Sequence, residues 1–203
     1  MNREEKNQMT RRRIIDSALT EFAEKGYGAS SINSVCAVPG ISKGIIYHYF
    51  DSKDALFLVC VEECFDLLTE YIRANMHPER SSIEEQLKNY FSVRLAFFRE
   101  HPLYQRIFCE AVIMPPTHLK DEIRKKKQDF DIFNVQILEQ MLADVTLRPH
   151  ITQEDVIEFF RQFQDFINAP PHDSELTQPE FEAREKSCRK ALDILLYGVI
   201  ERK

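Results

Sequence analysis

Apolar residues recur at three- and four-residue spacing along nearly the whole chain, which is the period of an α-helix buried on one side. The first run places Ile14, Ile15, Ala18, Leu19, Phe22 and Ala23 on one face. Thr10 is its expected N-cap, and Gly26 the residue just past its end. Ser30 or Ser31 caps a short second helix with Ile32, Val35 and Cys36 inward, and Pro39-Gly40 stops it. Ser42 caps a third helix running through Tyr49. Ser52 opens a fourth that is apolar at Leu56, Val59, Cys60, Leu67 and Leu68. Further helical stretches cover about 82–100, 102–113, 117–144, 152–168 and 179–201, punctuated by Pro102, Pro115-Pro116, Pro149 and Pro170-Pro171. No window alternates with the period of two that a strand needs. The pattern predicts an all-α protein of about nine helices.

Composition narrows the class. Hydrophobic residues make up 43% of the 203 positions and charged residues 30%, as in ordinary folded domains. No apolar run reaches the roughly eighteen residues of a membrane span, and MNREEKNQMTRRR lacks the apolar segment of a signal peptide. Five cysteines without CxxC pairs fit a reducing compartment, so a cytoplasmic protein with no membrane partner is expected. The net charge of −6 taken whole disfavours nucleic acid, but it is unevenly spread. Residues 1–54 hold eight of the 27 basic and seven of the 33 acidic residues, so the acidity belongs to the remainder. A Gly-rich phosphate loop, a metal-ligand set and a nucleophile elbow are all missing. The sequence therefore reads as neither an enzyme nor a cofactor-dependent protein.

One run carries the chemistry: GISKGIIYHYF, residues 40–50. The tight turn before it gives helices two and three the spacing of a helix-turn-helix. At about 100° per residue, Ile46 and Phe50 share one arc with Tyr49 at its edge, and Lys43, Gly44, Tyr47 and His48 fall opposite. Two readings stand. Four successive rings can be an aromatic core helix, or Tyr47 and His48 can face another molecule while Ile46 and Phe50 anchor. In the second reading Gly44 permits close approach, and Lys43 and Lys53 suit phosphate oxygens.

The surrounding residues weigh on that choice. RRRIIDSALTEFAEKGYGASSI followed by GISKGIIYHYFDSKDAL resembles the DNA-binding domain of the TetR (tetracycline-repressor) family of bacterial transcriptional regulators, from Thr10 to about Leu58. The resemblance implies a helix-turn-helix DNA-binding domain at 1–54 and a helical ligand-binding and dimerisation domain at 55–203. It implies phosphate contacts for Tyr47 and Lys53, and groove-facing roles for Lys43, Gly44, Ile45 and His48. Tyr49 falls at a second backbone-contacting position, Ser31 at the capping serine that meets phosphate, and Asn33 points from helix two to the groove. Ile45 departs from the family's usual threonine. Val38-Pro39 departs from a more helix-friendly pair, which should shorten helix two.

The same resemblance implies a homodimer, double-stranded operator DNA and an unknown, mostly apolar small-molecule effector as partners. Candidate effector residues are Tyr90, Phe97, Phe98, Tyr104, Phe108, Phe130 and Phe133, which can equally be a packed aromatic core. Two apolar stripes suit dimerisation: Phe159, Phe160 and Phe163 in one, Leu192, Leu195, Leu196 and Val199 in the other. Both can also be buried within one subunit. Arg11-Arg12-Arg13 is either a solvated face or a phosphate contact. Cys60 and Cys64, one turn apart, are either buried thiols or an oxidant sensor.

Overall fold

The structure is a computed structural model that describes residues 2–37, 39–76, 82–143, 145–167 and 178–200. Those residues form ten α-helices, and among them the only β pairing is a lone antiparallel bridge between Leu147 and Ile200. The helices are α1 (Arg3–Ala29), α2 (Ile32–Val35), α3 (Lys43–Tyr49), α4 (Lys53–Asn75) and α5 (Ile83–Glu100). After them come α6 (Pro102–Val112), α7 (Lys120–Lys126), α8 (Gln128–Leu142), α9 (Gln153–Ile167) and α10 (Gln178–Val199).

Helix starts follow local chemistry. Ser31, Ser42 and Ser52 each accept a hydrogen bond from the backbone N–H three residues on. The cap of α1 is not Thr10 but Asn2, whose side chain accepts from the Glu5 N–H while the Glu5 carboxylate accepts from the Asn2 N–H. Thr10 instead donates back to the Lys6 carbonyl within the helix. That reciprocal cap adds about two turns that carry no apolar face and are invisible to periodicity. Gly26 interrupts α1 at φ 72° and ψ 161°, a region almost confined to glycine that costs an L side chain on the order of 1–3 kcal/mol.

The expected helix over 117–144 is three pieces. A 3₁₀ turn (Thr117–Leu119) leads into α7, and Lys127 leaves helical geometry before α8. Charge explains the break better than hydrophobicity. Arg124, Lys125 and Lys126 sit in the last turn of α7, and Asp129 and Asp131 in the first turn of α8, each sign where the helix dipole favours it.

Packing divides the chain into two compact units: residues 1–67 with 101–128, and residues 68–100 with 129–203. The division at residue 54 follows the motif, whereas the first unit also takes in most of α4 together with α6 and α7. In that unit Ile14, Ile15, Ala18, Phe22, Val35, Ile46, Leu56, Phe57, Val61 and Phe65 are buried, joined by Ile107 and Phe108 of α6. Burying each such side chain contributes roughly 1.5–3 kcal/mol. In the second unit α5 packs on α10, with Phe97, Phe98 and Phe181 ring against ring.

Candidate nucleic-acid interface

The first unit presents α3 as a surface helix fixed from beneath. Ile46 is fully buried, and Ile41 and Phe50 nearly so. Lys43, Gly44, Tyr47 and His48 are exposed, Tyr47 by 53%. Ile45 and Tyr49 are half-buried. The ring surplus is therefore outside the core, as the angular positions predict. A Cβ built on Gly44 would meet nothing nearer than the Ser42 hydroxyl at 4.0 Å. An exposed helical glycine costs up to about 1 kcal/mol relative to alanine, and nothing inside the protein requires it here.

The turn before α3 is held by α1. Arg13 donates to the Pro39 carbonyl at 2.6 Å, and Gly40 takes φ 81°. Ser17 donates to the Val35 carbonyl at the end of α2. Helix α2 is a single turn, short as Pro39 led one to expect, while Val38 lies outside the described residues. Ser31 and Asn33 stay at the surface of α2, Ser31 half-buried and Asn33 exposed.

The basic residues divide into two groups. Arg11 lies over the Phe50 ring, and Arg12 bonds Asp16 and Glu63 in a bridge that raises its pKa further. Arg13 holds the turn. The arginine run is exposed and at the same time braces the domain through these contacts. Lys53 behaves alike, donating to the Tyr27 and Ser30 carbonyls at 2.8 and 3.1 Å with its ammonium 4.0 Å from the Tyr27 ring centre. Lys43 keeps its charge at the surface.

Beneath this face α6 and the 3₁₀ turn grip α1. The Glu110 carboxylate accepts from the Tyr27 N–H at 2.7 Å, directly after the Gly26 break. The Tyr27 hydroxyl donates to Asp54 and lies 3.2 Å from His118 Nε2. Burial pushes the Glu110 carboxyl above its ordinary range, opposed by the Tyr27 N–H and the charge of Lys53. Burial, then Asp54, raises the Tyr27 phenol. Periodicity gives Glu110 and His118 no signal, since their partners lie 83 and 91 residues away.

The candidate effector residues are divided between the two units. Tyr104 and Phe108 belong to the first unit, Tyr104 bonded to Glu63 and Phe108 edge-on to Phe65. Tyr90, Phe97, Phe98 and Phe130 are buried in the second, where Phe133 lies beneath the Arg73 guanidinium. Beside them is a polar group that the sequence reading passes over. Arg94 bridges Glu185 at 3.0 Å and Tyr90 donates to Asn134, with the Asn134 amide nitrogen and one Glu185 oxygen left without partners.

Of the dimerisation residues, Phe160 and Leu192 are buried within the subunit, while Phe159 is 53% exposed and Leu195 half-buried. The side chains of Phe163, Leu196 and Val199 lie outside the described residues. Ile194 and Tyr197, which the stripe omits, are exposed. No cysteine is paired, and burial pushes the Cys60 thiol up to about 12, which argues against an oxidant sensor there. Among the described residues no group of three or more His, Cys, Asp or Glu side chains is placed to hold a metal, and no helix is long and apolar enough to cross a membrane.

Comparison with known proteins agrees with this geometry. Residues 14–60 match the family model described as bacterial regulatory proteins, tetR family. The biofilm operon icaADBC HTH-type negative transcriptional regulator IcaR of Staphylococcus aureus is 36% identical over 72 residues, or 36% of this chain and 39% of that protein. The chain thus matches well under half the length of that curated relative. Among solved structures, FadR from Bacillus subtilis, in complex with stearoyl-CoA, superposes with a TM-score of 0.66 at 16% identity, over 92% of this chain and 97% of that one. A TetR family transcriptional regulator from Chloroflexus aurantiacus gives 0.61 at 21% identity, over 96% and 95%. An all-α fold with a capped helix-turn-helix at its N-terminal end defines the class: residues 14–60 of the chain are similar to the tetR family of bacterial regulatory proteins, and the whole chain has the fold of such solved regulators. The relatives named above are regulators of transcription.

Proposed function

We propose that the protein is a cytoplasmic, ligand-responsive repressor that binds a palindromic operator as a homodimer and is released by a small, mostly apolar effector. The observation that carries the DNA reading is the outward face of α3, where Lys43, Gly44, Tyr47 and His48 stand exposed over a buried Ile46 and Phe50. Phenol and ammonium groups suit phosphate oxygens, imidazole suits a base edge, and Ile45 offers methyl contact to thymine. Ser31, Asn33 and Tyr49 flank that face. Lys53 supports it by fixing the end of α1, so a phosphate would have to share its ammonium with two carbonyls.

Dimerisation rests on the exposed Phe159, Ile194 and Tyr197 of α9 and α10, extended by Leu195. A two-fold axis would set two α3 helices at successive major grooves, roughly 34 Å apart. The effector site is assigned to the second unit, among Tyr90, Phe97, Phe98, Phe130 and Phe133. FadR, solved with stearoyl-CoA, supports a ligand in this fold, and Asn134 and Glu185 would orient the polar end. Helix α4 contributes residues to both units and is the natural element to shift the population between spacings.

A duplex selected from a random pool by the full chain tests the reading, with binding followed across salt concentration. His48→Ala should relax preference at one base pair, worth about 1–3 kcal/mol of discrimination, while Tyr47→Phe should weaken all sequences alike. Uniform loss for His48→Ala would remove its reading role. No sequence enrichment by the wild-type chain would defeat the proposal itself.

A further inference from the structure

Helix α1 begins at Arg3, eleven residues before the segment that matches the family model. Residues 3–9 are exposed, and the first buried residue of the helix is Ile14, so no core explains why the extra turns exist. They are nonetheless built. The Asn2–Glu5 reciprocal cap closes the far end, and the Asn7 side chain accepts a hydrogen bond from the Tyr49 hydroxyl at the last turn of α3. Arg3, Lys6, Asn7 and Thr10 recur at three- and four-residue spacing on one side of the helix. That is the spacing at which a helix lying on a protein core carries apolar residues. Here the stripe is polar and cationic.

Between this stripe and the end of α3 lies a cleft of about 590 Å³, open to solvent and bounded by Arg3, Lys6, Asn7, His48 and Tyr49. Charge marks its occupant. Arg11, Arg12, Arg13, Lys25 and Lys53 are taken up by rings, carboxylates or carbonyls inside the unit. Arg3 and Lys6 are not paired with any carboxylate among the described residues. Together with Lys43 they place surface cations beside both ends of α3, a helix of seven residues and so roughly 10 Å long. A major groove is about 12 Å wide between its phosphate walls. Glu5 is spent in the cap, while Glu4 also borders the cleft and opposes an anion there.

We propose that residues 3–10 of α1 are a second DNA-contacting element, in which Arg3 and Lys6 hold a backbone phosphate beside the groove that α3 reads and the Asn7–Tyr49 bond sets its angle. This rests on the DNA-binding reading above. The element carries affinity and register rather than base preference, because phosphate is the same at every step.

The test uses the full chain and the selected duplex, titrated across KCl concentration. Arg3→Ala/Lys6→Ala should weaken binding on the order of tenfold, and lower the salt slope by about 0.9 for each phosphate the variant no longer neutralises. The ranking of duplex sequences and the melting temperature should stay unchanged. Phosphate-ethylation interference should disappear at one position per half-site. Glu4→Gln should tighten binding, and Asn7→Ala should weaken it without altering preference.

Wild-type affinity and slope in the double variant, with His48→Ala still changing base preference, would overturn the arm's role and leave the DNA reading intact. Weakening by Glu4→Gln as well as by the double variant would make the segment a mere prop for α3 and overturn the phosphate contact. A changed sequence ranking in the double variant would do the same. A wild-type chain that selects no sequence would remove the DNA reading and this inference with it.

Discussion

The two units treat rings and charges in opposite ways. In the first, Tyr47 and His48 face outward while Arg12, Arg13 and Lys53 are bonded inward. In the second, Phe97, Phe98 and Phe181 are packed inside, Glu185 is buried and paired with Arg94, and Phe159, Ile194 and Tyr197 are left outside. An exposed ring next to polar groups suits a hydrated, charged surface such as DNA. Exposed apolar side chains suit a second copy of the protein. A buried polar group in an aromatic core suits either a fixed structure or the polar end of a bound molecule.

Arg94→Ala should break this contrast most severely. It leaves the Glu185 carboxylate buried without its cation, at a cost of about 3–5 kcal/mol in chemical denaturation. Replacing both members with leucine should recover most of that loss if the pair is structural only. Full recovery combined with intact effector release would take Arg94 and Glu185 out of the ligand site. Next in size, Ile194→Glu with Tyr197→Glu should shift the protein from dimer to monomer in sedimentation, since each carboxylate would have to be desolvated in the interface. A persisting dimer would move the interface elsewhere.

Gly26→Ala should destabilise the first unit by roughly 1–3 kcal/mol, because φ 72° with ψ 161° is strained for any L side chain. Thermal melting reads this directly, and an unchanged melting temperature would mean that the Gly26 break is not held. Smallest is Glu110→Gln. Burial raises the Glu110 carboxyl in the folded state, so the protonated form is favoured there. Its contribution to stability is complete below the ordinary glutamate range and is lost as pH rises through the raised folded value. The amide keeps the acceptor for the Tyr27 N–H and does not titrate, so this part of the pH dependence should vanish. Melting curves of the two proteins between pH 4 and pH 7, chosen about the ordinary glutamate pKa, should diverge as pH rises, the variant being the more stable at neutrality.

Most of the α3 site was legible because its information is local. Serine caps lie three residues from the groups they bind, and a seven-residue helix fixes which side chains share a face. Ile46 and Phe50 turned inward, and Tyr47 and His48 outward, by angle alone. The start of α1 was misread at Thr10 because Asn2 and Glu5 sit before any apolar stripe that would announce a helix. The break at Lys127 was missed because periodicity carries no mark for a change of unit, although the charge order around it does.

The sequence by itself determined the helical class, the capped turn and the side chains that α3 turns outward, since each depends on neighbours within a few positions. Only the tertiary structure decided what the cations do. Whether Arg12, Arg13 and Lys53 are free or occupied depends on Glu63, Pro39 and Ser30, which are 51, 26 and 23 residues away. It likewise separated Phe159 from Phe160 and joined Asn7 to Tyr49. Hydrophobic spacing says that a side chain can be buried; which surface buries it is fixed by contacts between distant parts of the chain.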